Sequence, residues 1–171
     1  MIQALRTEVT TLAKCDPGDL VRELQYPSHE GFSMVAQDPK DESGVTWLLH
    51  LEAQMRSERM DNDESIPVLR YLDPLLFDVD HLCQVEIKPN RLFVEPGALV
   101  FAQSGQFLNT RIGMHGISQG LLQVDISNFS CRKYAEELKG AYFGRWSVSL
   151  VPDVTTRLDP LEIYSHEVRI T

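Results

Sequence analysis

From residue 45 to 53 every second position is apolar: Val45, Trp47, Leu49, Leu51 and Ala53 share one parity, and Thr46, His50 and Glu52 sit on the other. Side chains of an extended strand point alternately to opposite faces, so this spacing predicts a strand with one apolar and one polar face. The same test places Leu122, Val124 and Ile126 on one face of a second such strand. Further strands are expected at 32–37, 85–88, 99–103, 107–114, 146–151 and 161–170. A chain so rich in short alternating segments is expected to be mainly β.

Three patterns then recur in the same order. Asp16-Pro17-Gly18-Asp19-Leu20-Val21 is echoed by Glu95-Pro96-Gly97-Ala98-Leu99-Val100, and Leu48-Leu49-His50-Leu51-Glu52 by Leu121-Leu122-Gln123-Val124-Asp125. Leu72-Asp73-Pro74-Leu75 is echoed by Leu158-Asp159-Pro160-Leu161. The offsets are 79, 73 and 86 residues, so loops alone need to differ between two copies. Ordered repeats of this kind point to internal duplication. The divide falls near Lys88-Pro89-Asn90, giving units 1–87 and 88–171.

Each unit is expected to hold one short helix. In the second, Cys131, Tyr134, Ala135 and Leu138 fall at helical spacing, with Ser130 as N-cap and Gly140 as terminator; in the first the candidate is 52–60. Small barrel-like or curled-sheet units, SH3-like in outline, fit this order of elements. The competing arrangement is an α+β fold with both helices on one face of a joint sheet.

Sixteen basic and 25 acidic residues give a net charge of −9, and no Lys/Arg run offers a footprint for phosphates, which argues against nucleic acid. No window carries the ~18 apolar residues of a membrane span, and the N-terminus lacks the apolar core of a secretory signal. Cys15, Cys83 and Cys131 are dispersed and odd in number, which suits small buried hydrophobes in a reducing cytoplasm.

Gly116-Ile117-Ser118-Gln119-Gly120 spells G-x-S-x-G, the turn that presents the nucleophilic serine in α/β-hydrolases. Asp153, Asp159 and His166 follow Ser118 in the family's chain order. The context differs, however. A nucleophile elbow needs a buried strand before it and a helix after it, whereas strand patterns flank this segment on both sides, as at a hairpin turn.

A metal-assisted hydrolase would draw on His50 with Glu52, two apart on one strand face, and on Asp78, Asp80 and His81. Two ligands do not make a metal site, and these residues equally suit solvated polar faces. Met60-Asp61-Asn62-Asp63-Glu64-Ser65 lacks the glycine of a calcium loop and reads as an acidic linker. Phosphate-binding glycine loops are missing from the sequence, so no cofactor is expected. Trp47 and Trp146 are expected in the core. The chain is thus expected to be a non-catalytic binding or assembly module whose partner is another protein or a second copy.

Overall fold

Trp47 and Leu49 enter the main core beside Leu20, Met34, Leu108 and Trp146, as their parity requires. The other parity of the same strand is buried too. Leu48 packs with Leu12, Val35 and Val68, Thr46 donates its hydroxyl to Asp63 at 2.8 Å, and His50 is enclosed. The expected polar face is therefore covered, because two 3-10 turns, Leu12–Lys14 and Asp63–Ser65, bring Leu12 and Asp63 onto it.

The structure is a computed structural model, and it describes residues 5–25, 27, 30–61, 63–85, 96–113, 120–133, 140–152 and 159–167. It is mainly β. The strands are β1 (Thr7–Thr11), β2 (Leu20–Glu23), β3 (Ser33–Gln37), β4 (Thr46–His50), β5 (Arg56–Met60), β6 (Pro67–Tyr71), β7 (Leu75–Val79) and β8 (Gln84–Val85). They continue as β9 (Leu99–Ala102), β10 (Gly105–Ile112), β11 (Leu121–Asp125), β12 (Cys131–Lys133), β13 (Gly140–Phe143), β14 (Arg145–Leu150) and β15 (Leu161–Glu167). Among the described residues no helix is long and apolar enough to cross a membrane.

Both helix expectations need correction within these residues. Cys131–Lys133 is a strand in register with Leu122, Gln123 and Val124, and 134–139 lie outside the described residues. In 52–60 a turn leads into β5, which pairs with β4 on one side and β10 on the other. Glu, Ala, Gln, Met and Arg favour a helix locally, but two strand partners outweigh propensities of a few tenths of a kcal/mol per residue, on the order of the usual scale.

The ladders follow one order twice. The first set pairs as β1-β6-β2-β3-β4-β5, and the later set as β8-β13-β9-β10-β11-β12. The sets meet through parallel contacts, Arg111↔Arg56 and Ile112↔Ser57 between β10 and β5, and the bridge Gln37↔Ser130 beside β3. Among the described residues ladder pairing leaves the sheets unclosed. A second, three-stranded sheet runs β15-β14-β7 and so joins strands from both sides of residue 87. The proposed boundary itself lies in 86–95, outside the described residues.

Backbone details repeat along with the pairing. The Gly18 amide donates to the Val35 carbonyl at 2.8 Å, and the Gly97 amide to the Asn109 carbonyl at 2.7 Å. Both glycines have positive φ, 96° and 90°, which L side chains rarely adopt and which explains the two Pro-Gly turns. Met55 and Phe129 also have positive φ, and their carbonyls accept from the amides of Arg111 and Gln37.

Candidate functional site

Between β6 and β7 the chain turns through Leu72-Asp73-Pro74. The buried Asp73 carboxylate accepts from Arg6 twice, from its backbone N at 3.1 Å and its Nε at 2.8 Å. This pair secures one wall of a cleft of about 340 Å³ bounded by Gly18, Tyr71, Asp73, Leu75, Phe77 and Phe129. Arg70 spans its polar rim, with Nε 3.3 Å from Asp19 and 3.4 Å from Glu8. Burial nevertheless pushes the Asp19 carboxyl above its ordinary pKa.

The related place in the later strand set is filled. There β15 runs along β14 and turns Tyr164 and His166 inward. The Tyr164 hydroxyl donates to the Glu52 carbonyl at 2.8 Å and lies 2.9 Å from His166 Nδ1. His166 stacks on Trp146 with ring centroids 5.4 Å apart, and the Trp146 indole donates to the Gly97 carbonyl at 2.7 Å. His166 Nε2 lies against Gly97, with no room for a Cβ between them. In the open cleft the corresponding glycine, Gly18, meets Phe129 instead.

No family model, curated protein or solved structure matches the chain.

Of the hydrolase residues, Ser118 and Asp153 lie outside the described residues, and Asp159 is exposed just ahead of β15. His166 is only 4% exposed; burial pushes its pKa down, and its Nε2 has no hydrogen-bond partner among the described residues. An imidazole enclosed between Trp146 and Gly97 is placed for packing.

The metal candidates are dispersed. His50 lies between Ser33 and Glu58, while Glu52 pairs with Arg56 at 3.2 Å. Asp78 is exposed on β7, Asp80 accepts from Arg145 at 3.3 Å, and His81 stacks on Phe101. Among the described residues no three His, Cys, Asp or Glu side chains gather as a metal set.

One chain of polar groups escapes sequence reasoning. Ser33 Oγ is 2.8 Å from His50 Nδ1, and His50 Nε2 is 3.3 Å from Glu58 Oε2. The order serine, histidine, acid is that of a nucleophilic triad, but the ring nitrogens are exchanged, since a triad serine bonds Nε2 and its acid Nδ1. Ser33 is 2% exposed and His50 fully enclosed, so the network ties β3, β4 and β5 together and meets solvent only at Glu58. These partners depend on cross-strand register, which one linear sequence does not display.

Proposed function

We propose that the chain is a non-catalytic binding or assembly module made of a duplicated β unit, and that its partner is another protein bound at the cleft beside β7. The duplication is supported by the repeated pairing order and by the matching bonds of Gly18 and Gly97. The observation that carries the binding reading is an asymmetry. One strand set has its flank filled by Tyr164 and His166 of the chain itself, while the other keeps an open cleft lined by Leu75, Phe77 and Phe129.

A cleft of about 340 Å³ is at the small end of ligand pockets, typically about 300–1,000 Å³, and suits side chains of a partner better than a bulky cofactor. Unpaired Cys15, Cys83 and Cys131 suit a reducing compartment. A photo-crosslinking amino acid at Leu72, which is exposed and lines the cleft, expressed in the native host, tests the site directly. Adducts with a defined protein are expected, and none from the comparably exposed Leu24, whose amide bonds Pro67 at the end of β6 away from the cleft; equal or no labelling from Leu72 would remove the reading.

A further inference from the structure

We propose that the partner enters as an added β-strand along the outer edge of β7, and that this strand alternates aromatic with Lys or Arg residues. The proposal rests on the binding reading above and specifies the chemistry of the occupant.

The edge is defined by the β7–β14 ladder. Val151 donates to the Pro74 carbonyl at 2.8 Å, and Asp80 donates to the Arg145 carbonyl at 3.0 Å, at the two ends of the register Leu75↔Leu150 to Val79↔Trp146. Antiparallel strands direct bonding groups to one side at every second residue. Positions 74, 76, 78 and 80 therefore face β14, and Leu75, Phe77 and Val79 turn their N–H and C=O groups to the opposite edge. Among the described residues no strand pairs with that edge. A row of unpaired backbone donors and acceptors is a template for strand addition.

The molecule contains its own precedent. β14 is flanked by β7 on one side and β15 on the other, and β15 shows what a docked strand does here. Its inward residues Tyr164 and His166 fill the space beside Gly97, while its outward Glu167 meets Arg145 at 2.6 Å. The same arrangement transferred to β7 sends inward side chains into the cleft against Phe77 and Phe129, which are aromatic and 6.2 Å apart. Aromatic side chains meet such rings edge-on or offset with a gain beyond area alone. The outward positions on β7 are Leu76 and Asp78, both exposed, Asp78 being the charged one, and the chain carries a net −9. Where β14 offers an arginine to a glutamate, β7 offers an aspartate, so the incoming strand needs a cation there.

Panning a random peptide library on the full chain, with selected peptides then carrying a benzophenone to map contacts by mass spectrometry, tests this. Selected sequences are expected to alternate aromatic with basic residues and to crosslink within 72–79. N-methylation of their alternate amides should weaken binding at least about tenfold, and the charge reversal Asp78→Lys should do likewise. Crosslinks to 72–79 from acidic peptides, or from peptides indifferent to N-methylation, would overturn strand addition and leave the cleft as a binding site. Crosslinks elsewhere, or a library that yields no binder, would overturn both readings.

Discussion

His166 sits with the edge of its ring against the Cα of Gly97, on a backbone whose φ of +90° already excludes most L residues. Gly97→Ala therefore adds steric overlap to backbone strain, and each costs on the order of 1–3 kcal/mol. Urea denaturation should show a loss of at least about 3 kcal/mol. Gly44→Ala is the control: its φ is +64° and no atom lies within 4 Å, so only about 1–2 kcal/mol should be lost.

The same histidine sets an acid limit. Burial lowers the folded-state pKa of His166 below its ordinary value, so the folded state favours the neutral ring. The resulting stability is complete above the unfolded pKa of about 6.5 and is lost as pH falls below it toward the folded pKa, by at most about 1.4 kcal/mol per pH unit. Thermal unfolding followed from neutral to acid pH should show this slope. His166→Phe should remove its share of it.

Thiol accessibility should separate the three cysteines. Burial raises Cys15 to a pKa of about 11 and Cys131 to about 12, whereas Cys83 is partly exposed. The thiolate is the reactive form, so a maleimide at mildly alkaline pH should label Cys83 first. Labelling of the other two should keep pace with global unfolding, as read by mass spectrometry.

A fluorophosphonate should leave the protein unmodified. His166 Nδ1 is engaged with Tyr164 and its Nε2 faces Gly97, so neither nitrogen of this ring is turned toward a serine among the described residues. Intact mass after incubation checks this, and an adduct on Ser118 would restore the hydrolase reading.

Much of the strand content is visible in parity alone, since 32–37, 45–53 and 99–103 each contain an observed strand and 146–151 overlaps one. The Pro-Gly repeat is visible because positive φ at Gly18 and Gly97 demands a particular residue. The strand repeat is less sharply readable. The matched motif sets Leu49 against Leu122, whereas pairing with the preceding strands sets Leu49 beside Met34 and Val124 beside Leu108. A shift of two residues leaves every side chain on its own face, so the sequence pattern cannot detect it.

The two Leu-Asp-Pro-Leu turns mislead further. They introduce β7 and β15, which lie on opposite edges of β14, and Asp73 is buried with Arg6 where Asp159 is exposed. The cleft is not legible at all, because it is made of Gly18, Phe77 and Phe129, which only the tertiary fold brings together.

Native-state amide exchange reads the free edge of β7 residue by residue. In the unliganded chain the Leu75, Phe77 and Val79 amides should exchange far faster than those of Leu76 and Asp78, which face β14. Uniformly slow exchange along β7 would mean that its outer edge is already covered and not open to an added strand.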